Sequence, residues 1–568
     1  MSEPRIVTRP VPEPALRALI DSGVPVALAR VFAARGIDGP GRLDTALGSL
    51  FPVESLHNCE VAARLLADAI GRQEKLLIVA DYDADGATSC ALAMSVLRTL
   101  GADVEYLVPN RFEYGYGLTP EIVQLAVQRR PNWLVTVDNG ISSVEGVELA
   151  ARLGIRVLIT DHHLPGDRLP DAACIVNPNQ PGCAFPSKHL AGVGVMFYVL
   201  LALRAELRNR GHFRGSCEPN LADVLDLVAL GTVADVARLD DNNRILIAQG
   251  LRRIRADRAR PGINALFRVA GRNPARASTY DLAFVLGPRL NAAGRLDDMS
   301  VGIECLLAPD DARAAELADT LDRLNRERRE IEAQMQDSAL EIIERLEVPD
   351  RYSLTLYDQG WHQGVIGVLA SRLKERFHRP VFAFAPGPGG EAKGSGRSVP
   401  GLHLRDAVDL VAKRHPGLVR RFGGHAAAAG VAVGADDIGA FADAFESVVR
   451  SLLQPADLEQ VIETDGPLGT AHLSLELAEA IEAQVWGQGF AAPLFCDEFE
   501  VIDQRIVGGR HSRLMLRQPG ATGTIVAMRF GEDIRLPSRV RTVYRLQVNE
   551  FNGARTPQLV IERWVAVQ

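Results

Sequence analysis

Short apolar runs, separated by stretches with helical spacing, mark the first half of the chain. LLIVA (residues 76–80), VEYLV (104–108), NWLVTV (132–137) and IRVLIT (155–160) are each bounded by polar or turn residues. Runs of that length read as buried strands. The stretch after the first, GATSCALAMSVLRTLG (86–101), keeps helical spacing up to a closing Gly101. From about residue 75 to 240 this alternation predicts βαβ units and a largely parallel sheet. Residues 1–70 read as helical, punctuated by GIDGPGR (36–42). Between Pro309 and Pro349 there is neither Gly nor Pro, and Leu317, Leu321, Leu324, Ile331, Met335, Ala339, Ile342 and Leu346 recur at helical spacing. Such a segment reaches up to about 58 Å at ~1.5 Å per residue, as one long helix or two.

After Pro349 the α/β pattern restarts with YSLTLYD (352–358), a helix over VIGVLASRLKERF (365–377) and the strand PVFAFA (380–385). From about 455 onward short alternating runs dominate: FEVIDQRIV, SRLMLRQ, TGTIVAMRF, TVYRLQVNEF and TPQLVIERW. That pattern predicts a small β-barrel. The expected order is a helical segment (1–70), a parallel-sheet α/β domain (71–308), a helical connector (309–348), a smaller α/β domain (349–454) and the barrel (455–568).

Composition narrows this little. At 568 residues the chain is too long for one ordinary core, and its 47% apolar and 24% charged residues are those of a globular protein. No apolar run reaches the ~20 residues that span a bilayer, so no membrane role is expected. The amino terminus lacks a hydrophobic signal segment. Seven scattered cysteines, none in a C-x-x-C pair, argue against a disulfide framework or zinc ribbon and for a reducing cytoplasm. The net charge of −8 does not advertise nucleic-acid binding, but it is unevenly spread. Residues 451–500 hold ten acids and no Lys or Arg, whereas residues 501–568 hold eleven Arg against five acids.

Candidate chemistry begins with DYDADG (81–86). Three aspartates at alternate positions before a Gly open an EF-hand loop, but the twelfth position is Leu92 where a bidentate Glu is needed, and a strand precedes the motif. The acids instead sit on a strand-to-helix loop. NWLVTVDNG ends on Asp138, IRVLITDHH on Asp161, His162 and His163, and LDLVALGTVADVARL supplies Asp235. Each apolar run delivers Asp or His at its carboxyl end, where the side chains of a parallel sheet can converge. Carboxylates with imidazoles suit Mn²⁺ well and Mg²⁺ acceptably, and no thiolate is present to favour structural zinc. The donors exceed what one ion needs. Two ions sharing a carboxylate clamp the attacking and leaving oxygens of a phosphoryl displacement.

DYDADG, VDNG, DHH and GTVAD, in this order, resemble the motifs of the DHH phosphoesterase family. GWHQGVIGVLASRL (360–373) and FGGHAAAAG (422–430) are similar to its companion carboxyl-terminal domain, DHHA1. GPRLNAAGRLDDMS (287–300) and PNRFEYGYGL (109–118) narrow the resemblance to the branch of single-strand-specific 5′→3′ DNA exonucleases. That branch uses its late β domain as an OB-fold and releases 5′-mononucleotides in repair and recombination. The resemblance implies two divalent cations, Mn²⁺ or Mg²⁺, with Asp83, Asp85, Asp138, His162 and Asp235 as ligands and Asp81 and His163 in support. Asp138 is the natural bridging candidate. Single-stranded DNA is the implied substrate, with a single-strand DNA-binding protein and a RecQ-type helicase as partners.

The same resemblance implies that Arg111, Ser395 and Arg397 grip a 5′-phosphate, and that Arg289, Asn291 and Arg295 contact the backbone near the scissile bond. His425 would reach a phosphate, and Tyr114, with Tyr116, would stack on bases. The residues themselves support part of this. In GSGRS (394–398) glycines expose backbone N–H groups and Ser395 and Arg397 add donors, an anion cradle. The domain with the acids and DHHA1 would face each other across a cleft fed by the barrel. Relatives that hydrolyse short oligoribonucleotides, cyclic dinucleotides or pyrophosphate lack PRLNAAGR and the barrel. Relatives that only bind DNA have lost acids that are intact here.

Overall fold

The computed structural model describes residues 4–114, 116–215, 217–344, 351–531, 535–551 and 553–567. It divides into two compact units. One comprises Thr8–Arg323 with Thr464–Gln568, the other Met1–Val7 with Leu324–Glu463. The division falls within one continuous helix, Asp311–Glu344, of 34 residues. The Gly- and Pro-free segment is therefore one helix as far as residue 344, and Leu346 lies outside the described residues.

The amino terminus departs from the helical expectation at its start, where Arg5–Thr8 forms strand β1. Its partner strand lies some 450 positions away, so nothing local could show it. Beyond it come the helices Glu13–Asp21, Val26–Ala33 and Cys59–Gly71.

In the first unit β2 (Leu76–Ala80), β3 (Val104–Leu107), β4 (Trp133–Val137), β5 (Arg156–Thr160) and β6 (Cys174–Val176) form one sheet in the order β3-β2-β4-β5-β6. Every pairing is parallel. All five residues of β2 and of β4 are buried, which is why these strands read as unbroken apolar runs rather than alternating ones. On one face Leu77, Val79, Leu134, Val157 and Ile159 pack against Ile122, Val123, Val147 and Ala150 from two helices. Strand order reverses direction at β2, and the loops after β2, β4 and β5 emerge on one edge.

The second unit holds β7 (Leu354–Tyr357), β8 (Val381–Pro386), β9 (Glu391–Arg397), β10 (Val419–Gly424) and β11 (Ala428–Gly434), ordered β10-β11-β9-β8-β7. Its core sets Phe382 and Phe384 against Phe441 and Phe445. A short strand, β12 (Val461–Thr464), pairs with β1. The remaining strands, β13 (Phe495–Val507), β14 (His511–Arg517), β15 (Ile525–Arg529), β16 (Arg539–Phe551) and β17 (Ala554–Ala566), close a barrel ordered β13-β14-β15-β17-β16. The barrel belongs to the same compact unit as the first sheet. Arg35 donates to both oxygens of buried Asp465 at 2.6 and 3.0 Å, and Phe32, Trp486 and Phe490 stack together.

Candidate metal centre

Three loops at the carboxyl edge of the first sheet bring the acids together. Asp81 follows β2, and Asp83 caps the helix Ala84–Thr99, accepting the Asp85 and Gly86 N–H groups at 2.9 and 3.0 Å. Asp85 lies inside that helix's first turn, fully buried. It accepts the Gly192 and Val193 N–H groups at 2.7 and 2.9 Å, so the start of the helix Gly192–Asn209 points at it. Asp138 follows β4 with φ 63°, a left-handed conformation that a non-glycine residue seldom adopts. Gly192 explains part of the packing. A Cβ there would lie 2.7 Å from Asp138 Cβ and Oδ1.

Asp161, buried at the end of β5, turns inward as a scaffold. It accepts the N–H groups of Ile141, His162 and His163, and its Oδ1 lies 2.7 Å from His163 Nδ1. Asn177 and Asn179 tie down the His163 and His162 carbonyls. The fixed His162 ring sets Nε2 3.0 Å from Asp138 Oδ1, 3.8 Å from Asp85 Oδ2 and 3.9 Å from Asp235 Oδ2.

Asp235 arrives by a route the sequence reading did not anticipate. LDLVALGTVA is no strand. It is the helix Leu225–Ala234, buried almost throughout, with Asp235 as its C-cap. A short run that is apolar on every side carries no period, so strand and buried helix look alike in sequence. A carboxylate at a helix carboxyl end meets the negative pole of the dipole. Its burial and the charges of Asp85 and Asp83 push Asp235 well above the usual carboxylate range.

Electrostatics throughout are those of crowded acids. Burial, then the neighbouring Asp83, raises Asp85 to about 7, and burial with Asp85 raises Asp138 well above its ordinary value. Burial lowers His162 to about 4, so its ring is neutral and able to ligate. Burial works against charge on His163, but the hydrogen bond and charge of Asp161 outweigh it and lift His163 to about 9.

Donor atoms gather in three overlapping groups, each within 4.8 Å: Asp81, Asp83 and Asp138; Asp138, His162 and His163; and Asp85, His162 and Asp235. Asp138 and His162 are each shared between two groups. Asp138 Oδ1 and His162 Nε2 are buried and have no hydrogen-bond partner among the described residues. Buried polar atoms are almost always paired. Two orphans facing each other at 3.0 Å fit a shared divalent cation, and the oxygen and imidazole donors suit Mn²⁺ or Mg²⁺.

Around this centre the other expected residues are placed as follows. Asn291 accepts the Ala84 N–H at 2.8 Å and so braces the acid loop. Arg289 is engaged with Asp322 at 2.9 Å and with the Val285 carbonyl. Arg295 lies in the last turn of the helix Gly287–Leu296. Tyr114 packs at the edge of the sheet core, and with Tyr82, Asn110 and Asp298 it lines a cavity of about 230 Å³. Tyr116, half exposed, sets its hydroxyl 3.2 Å from His163 Nε2. The Arg111 side chain lies outside the described residues.

In the second unit Ser395 and Arg397 share the half-exposed face of β9, as period two requires. The glycines that alternate with them act differently from the cradle expected. Gly394 and Gly396 lie in a strand paired on both sides, so their backbone groups serve ladders, and a Cβ on either would lie 2.4 Å from Phe384 or Phe382. They thin the strand for core packing. Arg397 donates to Ser371, Ser395 and the Gly396 carbonyl, has no acidic partner among the described residues, and is lowered by burial. Gly367, in the first turn of the helix Ile366–Phe377, leaves room for it, because a Cβ there would lie 3.0 Å from Arg397 Nη2. His425 sits exposed between β10 and β11.

Comparison with known proteins agrees along the whole chain. The DHH family N-terminal domain matches residues 75–232, the DHHA1 domain residues 350–451 and the RecJ OB domain residues 464–563. The single-stranded-DNA-specific exonuclease RecJ of Dickeya dadantii is 50% identical over 571 residues, covering 98% of this chain and 99% of its own. The chain belongs to the RecJ family. RecJ of Escherichia coli is 48% identical over 95% of the chain and 96% of its own length. The crystal structure of Thermus thermophilus RecJ with Mn²⁺ superposes with a TM-score of 0.83 at 29% identity, covering 99% of this chain and 79% of that one. The same RecJ has been solved with Mg²⁺. The α/β fold with its closing barrel is thus the RecJ fold, and its acid cluster is compatible with a divalent-metal site. Among the described residues no helix is long and apolar enough to cross a membrane.

Proposed function

We propose that the chain is a metal-dependent exonuclease that hydrolyses single-stranded DNA from its 5′ end and releases 5′-mononucleotides by a two-metal mechanism. The observation that carries this is the pair of orphaned, buried donor atoms, Asp138 Oδ1 and His162 Nε2, inside three overlapping donor groups. Asp83, Asp85, Asp138, His162 and Asp235 would hold the ions, with Asp138 between them. Bound there, two cations supply an activated water and offset charge on the phosphate. The protein's own part is positional. Asp161 orients both histidines, and the Gly192 and Val193 amides hold Asp85 in place. His163, cationic near neutral pH, lies beside the acids where a phosphate would gather negative charge.

End selection needs a second anion site, because every internal phosphodiester presents the same single charge to the acids. A terminal phosphate carries up to about two. Arg397 and Ser395 fit that role. A half-buried guanidinium without a carboxylate partner among the described residues, beside a helix start opened by Gly367, favours a doubly charged oxyanion. Arg111 belongs to the same reading. So do Arg289, Asn291, Arg295, Tyr114 and His425 as strand contacts, a cytoplasmic role in repair and recombination, and partnership with a single-strand DNA-binding protein and a RecQ-type helicase.

The test is a digest of end-labelled single strands with Mn²⁺ and with chelator, reading both ends and product size. Mononucleotides leaving from the 5′ end only with metal are expected. Arg397→Ala should depress cleavage of 5′-phosphorylated strands far more than of 5′-hydroxyl strands, with Mn²⁺ binding unchanged. Equal losses on the two substrates would remove Arg397 from end selection.

A further inference from the structure

Within the first unit a cavity of about 460 Å³ opens between the helix Asp241–Arg255, the amino-terminal helical segment and the segment leading into the barrel. It shares no lining residue with the acid cluster. Arg244, Arg252 and Arg255 recur along one helix face and line it, opposite Phe32, Val485 and Phe490. Its walls are thus cationic on one side and apolar on the other.

Arg244 is only 7% exposed. Its guanidinium stands 4.4 Å from the Phe490 ring centre and bonds Asp241 and the Arg42 carbonyl, yet its Nε–H has no acceptor among the described residues. Among the described residues Arg252 reaches only Gln249, at 3.5 Å, and Arg255 donates to the Ala277 carbonyl at 2.8 Å. Neither forms an ion pair among the described residues. Arg252, exposed at the cavity's edge, has no carboxylate at ion-pair distance among the described residues, and Arg255 has only the longer-range charges of Asp281 and Glu482; with the unpaired buried Nε–H of Arg244 they leave this side of the cavity open to an anion. The volume suits a small organic molecule, for which sites of roughly 300–1,000 Å³ are usual. Guanidinium forks match phosphate oxygens, and the apolar wall matches a base and sugar.

We propose that this cavity is a nucleotide site, separate from the metal centre, taking one phosphate-bearing nucleotide either free or within a single strand. The phosphate lies against Arg252 and Arg255 and the nucleoside against Val485 and Phe490. That the anion is a nucleotide rests on the exonuclease reading; that the cavity takes an anion does not.

The experiment is equilibrium dialysis of labelled dAMP against the full chain in chelator, carrying Arg397→Ala to silence the end-phosphate site. Without metal the acid cluster repels the ligand. Saturable binding is expected, weakened at least tenfold by Arg252→Glu or by Arg255→Gln and unchanged by Asp138→Ala. Inorganic phosphate should bind at least tenfold more weakly. Displacement by a 5′-hydroxyl oligothymidylate assigns the site to the strand's path, and its failure assigns a free nucleotide. No saturable binding, full binding by Arg252→Glu, or equal affinity for inorganic phosphate would each overturn the proposal. Metal-dependent hydrolysis is measured separately on the unaltered chain, so the two readings fail independently.

Discussion

Gly192→Ala tests the geometry of the metal centre without removing any donor. The added Cβ would lie 2.7 Å from Asp138 Cβ and Oδ1 and 2.9 Å from Asp138 Cγ. Ordinary contact needs about 3.4–4 Å, so the two must part by roughly 1 Å. Both neighbours are constrained. Asp138 leaves β4 in a left-handed conformation, and the Gly192 N–H is bonded to Asp85 Oδ2 at 2.7 Å. The strain therefore displaces one carboxylate, the other, or both. Overpacking of this kind costs about 1–3 kcal/mol of stability. A misplacement near 1 Å at reacting groups costs on the order of 10²-fold in rate, or about 2.7 kcal/mol of barrier. The expected outcome is a kcat about 100-fold lower with Mn²⁺, weaker Mn²⁺ binding by titration, and single-strand affinity little changed in chelator. Gly439→Ala, in a helix where a Cβ meets nothing within 4 Å, is the matched control and should keep full activity. Wild-type kcat and Mn²⁺ affinity in a folded Gly192→Ala chain would refute the tight seating of Asp138 against this helix.

Three further outcomes are expected. Asp138→Ala should abolish Mn²⁺-dependent cleavage while sparing DNA affinity, and near-normal turnover would sink the shared-ligand assignment. The metal-free protein should melt at lower temperature as pH rises from about 6.5 to 9. Asp85 (about 7, from burial and Asp83), Asp138 and Asp235 (raised by burial) and His163 (about 9, held up by Asp161 against its burial) all bind protons more tightly folded than unfolded. Each contribution is whole below the group's unfolded value and is lost as pH climbs through its folded one. The loss from Asp85 is therefore complete near pH 7 and that from His163 near 9, whereas His162, lowered to about 4 by burial, still binds a proton when unfolded near pH 6.5 and is neutral in both states only above that. Because ligands must be deprotonated, the Mn²⁺-induced rise in melting temperature should grow over the same range, and a flat metal-free profile would contradict this. Finally, Arg35→Ala should cost about 1–3 kcal/mol in denaturant unfolding, because among the described residues the buried Asp465 carboxylate then keeps only Arg9 at 3.6 Å and the Leu494 N–H at 3.0 Å, and a loss under about 0.5 kcal/mol would show that the pair does not anchor the barrel.

Legibility of the fold followed how local its causes are. The four early strands could be read because a parallel strand buried on both faces is an apolar run bounded by turns, and the barrel strands because alternation survives in sequence. β6 was missed, being three residues long. β1 was missed because what makes RIVT a strand is a partner at residues 461–464. The attachment of the barrel to the first sheet's unit was equally hidden. It rests on Arg35 with Asp465 and on Phe32 with Trp486, pairs separated by more than 400 positions.

The site shows the same division, with one instructive reversal. The donors were found because Asp and His are conspicuous after apolar runs, yet the rule used to place them holds only for those following β2, β4 and β5. Asp235 satisfies the rule in sequence and breaks it in structure, arriving from a buried helix. What sequence could not show is what lets so many carboxylates share one small volume. That work falls to backbone groups and to missing atoms: the Gly192 and Val193 amides on Asp85, the Cβ absent beside Asp138, and Asn291 bracing the acid loop. Glycine and backbone amides leave no chemical signature along a chain. The same blindness misread Gly394 and Gly396 as an anion cradle, when their missing side chains make room for Phe384 and Phe382. A glycine beside a candidate ligand therefore poses a question of packing before one of chemistry, and only the neighbour that would fill its Cβ position answers it.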